Sequence, residues 1–199
     1  TGMTQEVDRC RRAVELAMDG RTVSVISGGD PGIYAMAGLV FELLRSEEGK
    51  SGALPAVEVI PGISALNAGA ARLGAPLMHD FACISLSDRL TTWDIIEKRL
   101  DSAAAADFVI VLYNPRSKGR SGHINRAREI VLKHRRPTTI VGIVKGAMRE
   151  HEKVIVTDLE NMQDSDIDMQ TTVIIGNSKT FVWNGRMITP RGYENKFAI

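Results

Sequence analysis

Cysteine, aromatic residues and net charge are all scarce in this chain, and each scarcity removes a class of function. Only Cys10 and Cys83 are present among 199 residues, too few and too far apart for a disulfide framework or a cysteine-based zinc site. So few thiols suit a cytoplasmic protein. The 25 basic side chains are balanced by 24 acidic ones, leaving a formal charge of +1. That is not the basic excess with which nucleic-acid binders neutralise phosphates. The longest wholly apolar run, Phe108 to Tyr113, has six residues, whereas a membrane helix needs about 20. The four histidines, His79, His123, His134 and His151, form no HxxxH or HExxH pair, so no metal site is expected. There is no GxSxG elbow, and neither cysteine has the context of a nucleophile. The first residues, TGMTQEVDRC, lack a Met start and the basic-then-apolar layout of a signal peptide, and read as an interior start.

What is present is a globular composition, 44% hydrophobic, in a chain long enough to bury roughly 70% of its unfolded surface. Val7, Cys10, Val14 and Ala17 recur at helical spacing behind Thr4, a candidate N-cap, and predict an amphipathic helix ending at Gly20. TVSVIS (22–27) predicts a strand, SGGDPG (27–32) a turn, and IYAMAGLVFELL (33–44) a helix. VEVIP (57–61) and ISALNAGAARL (63–73) repeat the strand-to-helix order, with Gly74 as the stop. Two such units imply a mainly parallel sheet with right-handed crossovers.

GAPLMHDF (74–81) suits a linker, after which the pattern restarts. ACISLS (82–87), a helix over about 92–104, FVIVLY (108–113), a helix over 123–134 and TTIVGIV (138–144) predict a second sheet. KVIVTD (153–158), TTVIIG (171–176) and TFVWNGRMIT (180–189) add strands, with Asn184-Gly185 as a type I′ hairpin signal. The expected fold is therefore α/β in two domains. Residues 1–77 carry the mainly parallel sheet, and residues 78–199 a mixed sheet with antiparallel edge strands.

Two loops carry the pattern of a ligand site. SGGDPGIY follows a strand and opens a helix, where an open α/β sheet offers backbone amides to a ligand. Its spacing is neither GxGxxG nor GxxxxGK, and a tight turn with Pro31 at the first helical position fits as well. Asp30 there caps the helix or reaches a ligand hydroxyl or ammonium. IPGIS (60–64) repeats the arrangement with Gly62 and Ser64, and Ser64 also reads as an ordinary N-cap. Arg116, Lys118 and Arg120 cluster in a loop after a core strand, fitting either capture of an anionic substrate or a solvated loop. His134, Arg135 and Arg136 close a helix whose dipole favours cations, a structural role.

Taken together, TGMTQE (1–6), SGGDPGIYAMAG (27–38), VIPGISALNAGAARLGAPLMHDF (59–81), SLSD (85–88), VLYNPRS (111–117), TTVIIGNS (171–178) and MITPRGY (187–193) resemble the tetrapyrrole methylases. The likeness runs along nearly the whole chain. It implies two α/β domains that bind S-adenosylmethionine in the cleft between them, and a homodimer. It also implies that Gly28, Gly29, Asp30 and Ile33, with Ser64 and Ala65, line the cofactor, and that Tyr113, Asn114, Gly146 and Thr172 surround its adenosine part.

The subgroup that matches VLYNPRS and TPRGY methylates C17 of a corrin precursor and contracts the macrocycle on the route to vitamin B12. Arg116, Lys118 and Arg120 would then meet the carboxylates of that small-molecule substrate. Asp88, Tyr113 and His123 are the candidate acid/base groups, and spacing selects none of them. Other enzymes of this fold act on a diphthine precursor or ribosomal RNA. Family members also begin with a strand and a GPGD-type loop ahead of the TGMTQE-like segment, so the resemblance leads us to expect a truncated chain with weakened cofactor binding, or a non-catalytic binding fragment.

Overall fold

The computed structural model describes residues 5–50, 52–117, 119, 121–162 and 166–198. They form two compact units, one up to Ser64 and one from Ala65 onward.

The first unit contains helices α1 (Glu6–Met18) and α2 (Ala37–Glu47). The apolar stripe of α1 buries Cys10 and Val14, and α2 buries Leu44. Burial also raises the Cys10 thiol pKa. Residues 22–27 and 57–61, expected as paired strands, form no ladder among the described residues. Most of both segments lines a cavity of about 760 Å³ bounded by α1 and α2. A ladder needs backbones about 4.8 Å apart, and these two stand on a cavity instead. Helix α2 also begins at Ala37 rather than 33. The Asp30 carboxylate takes the Gly32 amide at 2.8 Å, and Tyr34 holds a φ of 52°. That local turn displaces the helical start.

The second unit is built on a five-stranded mixed sheet. Its strands are β2 (Phe81–Ser85), β3 (Val109–Tyr113), β4 (Ile140–Lys145), β5 (Lys153–Asp158) and β6 (Thr171–Ile175), in the order β2-β3-β6-β4-β5. Strands β2 and β3 are parallel, while β6 runs antiparallel to both β3 and β4. The period of two sorts the side chains. Ile110, Leu112, Val141, Ile143, Val173 and Ile175 face a core closed by α4 (Trp93–Ala105) and α5 (His123–Leu132). Val109, Val111, Val144 and Ile174 face Leu66 and Leu73 of α3 (Ala65–Leu73). Burial on both faces explains why these strands read as continuous apolar runs.

Helix α3 packs on β4, β5 and β6, which places 65–77 with the second unit although the sequence assigned them to the first. The expected linker also contains β1 (Gly74–Ala75), parallel to β8 (Arg186–Ile188). Strand β7 (Phe181–Trp183) completes this small sheet through the expected Asn184-Gly185 hairpin, with φ values of 47° and 72°. The expected helix-dipole role of Arg135 gives way to a tertiary clamp. Its guanidinium is buried, donates to the carbonyls of Ala104 and Phe108, and pairs with Asp107. No helix among the described residues is long and apolar enough to cross a membrane.

Candidate functional site

In the first unit the two glycine loops are pressed together. A Cβ on Gly62 would lie 2.2 Å from the Gly29 carbonyl oxygen, so only glycine permits this approach. Gly29 itself sits at a φ of 78°, a region closed to most side chains. Asp30 staples the loops: one carboxylate oxygen accepts from the Gly32 amide at 2.8 Å and the other from the Gly62 amide at 3.1 Å. The aspartate thus braces the loops. Gly28 has nothing within 4 Å of where a Cβ would stand, and the side chains of Ile33 and Ile63 are exposed. The loop pair is open at Gly28 and flanked by exposed apolar side chains.

In the second unit the topology gathers the remaining candidates at one sheet edge. Strands β2 and β3 are parallel with Ser85 opposite Tyr113. Strand β6, antiparallel to both β3 and β4, starts where those two end. Tyr113, Asn114, Gly146 and Thr172 therefore meet at the carboxyl ends of β2, β3 and β4, where open α/β sheets bind ligands.

The Tyr113 hydroxyl accepts from the Leu66 amide at 2.7 Å, at the start of α3. Asn114, at a φ of 52°, donates its amide to Ser85 Oγ at 2.9 Å. Thr172 is buried beside Gly69 of α3, and Ser64 is also buried. Gly146 is hemmed by the His151 ring, 2.9 Å from where its Cβ would be. The loop behind it is held by Glu152, which accepts from the Met148 amide at 2.7 Å and pairs with Arg72 at 2.7 Å. Those two contacts hold the Glu152 carboxyl below its usual range.

Arg116 follows this edge, with its Nε donating to the Ser121 carbonyl at 3.3 Å; Lys118 and Arg120 lie outside the described residues. Asp88 and His123 face each other at 3.4 Å, while Tyr113 is engaged with α3. Sequence reasoning missed Ser85, the support beneath Asn114. Its signals were its place at the end of a strand and at the head of SLSD (85–88). No group of three metal-ligating side chains occurs among the described residues.

The second unit thus presents a small-residue helix start and polar groups at the ends of parallel strands, and the first unit, taken by itself, a pair of apposed glycine loops. The chain matches the tetrapyrrole (corrin/porphyrin) methylases over residues 3–163 and belongs to that family. Members of this family use S-adenosylmethionine.

Among its relatives, the "Cobalt-factor III methyltransferase" of Priestia megaterium is 53% identical over 199 residues, all of this chain but 37% of that protein. The "Probable cobalt-factor III C(17)-methyltransferase" of Salmonella typhimurium is 51% identical over 193 residues, 97% of this chain and 78% of that one. The crystal structure of the methyltransferase CobJ superposes with a TM-score of 0.89 at 38% identity, covering 96% of this chain and 79% of that one. This chain therefore spans well under half of the first of these relatives and nearly four fifths of the other two.

Proposed function

We propose that this chain transfers a methyl group from S-adenosylmethionine to C17 of a corrin precursor and contracts its macrocycle in cobalamin biosynthesis. The substrate is cobalt-factor III, the cobalt-bearing counterpart of precorrin-3B. The observation that carries this reading is the 51% identity, along 97% of the chain, with a relative named for that reaction.

The donor supplies a methyl group activated on a sulfonium. The protein's task is then to set a macrocycle carbon in line with it at about 3 to 3.5 Å. In the first unit the reading assigns the amides of Gly28 and Gly29 and the side chain of Ile33 to the donor, with Asp30 fixing the loop. At the start of α3 and the sheet edge of the second unit it assigns Ser64, Ala65, Tyr113, Asn114, Gly146 and Thr172. Arg116, with Lys118 and Arg120, takes the carboxylate arms of the substrate, an Arg fork matching a carboxylate bidentately.

The reading includes a homodimer in the cytoplasm, with no nucleic-acid or membrane partner. The exposed Phe181, Val182 and Trp183 of β7 support self-association, for which a two-fold dimer is the commonest solution.

The test is anaerobic incubation of the chain with S-adenosylmethionine and, in parallel, cobalt-factor III or precorrin-3B, followed by mass spectrometry. Gain of one methyl group on cobalt-factor III is expected. No gain on either substrate would overturn the assignment.

A further inference from the structure

His123, the first residue of α5, hangs from the sheet edge that carries Tyr113 and Asn114. Its Nδ1 lies 3.0 Å from the Leu86 carbonyl oxygen, and Leu86 continues the ladder by donating its amide to the Tyr113 carbonyl at 2.9 Å. A carbonyl only accepts, so the hydrogen sits on Nδ1 and Nε2 is the nitrogen left to exchange a proton. Nε2 points at Asp88 Oδ2, 3.4 Å away. The ring rests on Trp93 with centroids 4.7 Å apart. Arg126 of α5 lies 4.3 Å from the centre of Trp93 and pairs with Glu97 of α4 at 3.9 Å. From the elements packed against it, the ring is thus faced by Asp88, and across Trp93 by Arg126 and Glu97. The His123 side chain is 14% exposed, so a path to solvent or ligand remains.

Both ring nitrogens therefore look at oxygen acceptors. In the neutral ring the Nε2 lone pair meets a carboxylate and makes no bond among the described residues; once Nε2 gains a proton, both N–H groups have partners. The surroundings are complementary to the ring after it has taken up a proton, the arrangement a general base needs.

We propose that His123 Nε2 accepts the proton the macrocycle sheds after methylation, with Asp88 as its positioning residue; this rests on the methyltransferase reading above. Methyl transfer forms a C–C bond with an electron pair of the macrocycle and leaves the S–C pair on sulfur, so the macrocycle gains one positive charge. The charge is discharged when a C–H of the macrocycle gives its proton to Nε2 and leaves the bonding pair in the ring, because the ring nitrogens of the cobalt-bearing substrate hold the metal.

The test is His123→Asn, whose side-chain amide can still donate to the Leu86 carbonyl while lacking Nε2. With cobalt-factor III as substrate, kcat is expected to fall roughly 100-fold or more. KM and donor affinity should stay within about twofold, the acid limb of the kcat–pH profile should vanish, and added imidazole should restore part of the rate. Asp88→Asn should lower kcat less.

A parent that methylates normally beside a His123→Asn variant within about threefold of it, acid limb intact, would overturn this proposal alone. A parent without methyl transfer would overturn the methyltransferase reading and this proposal with it. Nitrogen-15 NMR gives a readout independent of turnover: neutral His123 should carry its hydrogen on Nδ1, and finding it on Nε2 would overturn the proposal.

Discussion

Replacing Gly62 by alanine adds one methyl group at the tightest point of the candidate cofactor cradle. The new Cβ would stand 2.2 Å from the Gly29 carbonyl oxygen, 3.0 Å from its carbon and 3.5 Å from Asp30 Cα. Carbon and carbonyl oxygen settle at about 3.3 Å, and the obstacle is backbone, so the two loops must part by about 1 Å. That movement stretches the 3.1 Å bond from the Gly62 amide to Asp30 beyond bonding range. A hydrogen bond to a charged group contributes about 1.5 to 3 kcal/mol. This site is solvent-exposed, and about 1 kcal/mol is a fair figure there, lowering Tm by only about 2 to 4 °C.

The effect on the ligand should be larger. A displacement of about 1 Å in a positioning loop costs up to about 100-fold. Calorimetric titration with S-adenosylhomocysteine should therefore show affinity reduced at least about tenfold, or about 1.4 kcal/mol. Far-ultraviolet circular dichroism at 25 °C should be unchanged. An affinity within twofold of the parent would refute the assignment of these loops to the cofactor.

Arg116→Ala should raise KM for the corrin substrate by an amount equivalent to about 1.5 to 3 kcal/mol while leaving donor affinity alone; steady-state kinetics would show it, and a small loss that fades with salt would instead mark a solvated loop. Arg135→Met removes the donor to the Phe108 carbonyl and one of two donors to the Ala104 carbonyl, while the half-exposed Asp107 keeps its bonds from Ser178, so unfolding in urea should show a loss of about 1 to 3 kcal/mol. Acid should loosen residues 145–162 and 166–170 first. Glu152 is held below its usual pKa by the Met148 amide and Arg72, and Asp166 by Lys145 and Lys153. A carboxyl with a lowered folded pKa stabilises above its unfolded value, about 4 to 4.5, and loses that contribution as pH falls through the folded value. Amide exchange there should accelerate below about pH 4 while holding steady from about pH 5 to 8.

The second unit was legible because its signals are local. FVIVLY is apolar on both strand faces, since Val109 and Val111 meet α3 while Ile110 and Leu112 meet α4 and α5. Asn184-Gly185 names its own turn. TVSVIS and VEVIP have equal strand propensity, yet their pairing depends on what lies between them, which propensity does not encode. The late start of α2 follows from a side-chain bond by Asp30, invisible to an apolar period. The candidate residues were legible as glycine loops and strand ends, and the shared edge of Tyr113, Asn114, Gly146 and Thr172 in the second unit follows from topology. The grip of Leu86 on His123 spans 37 positions and has no local signature. Arg135 looked like helix-end charge because its partners Ala104, Asp107 and Phe108 belong to another helix and its following turn.

The most direct test of the account is to follow the methyl group itself. Cobalt-factor III incubated with this chain and S-adenosylmethionine carrying a carbon-13 methyl should yield a single labelled product. Its NMR spectrum should place the label on C17 of a contracted macrocycle. Label at any other carbon, or none in the tetrapyrrole while the donor remains intact, would contradict it.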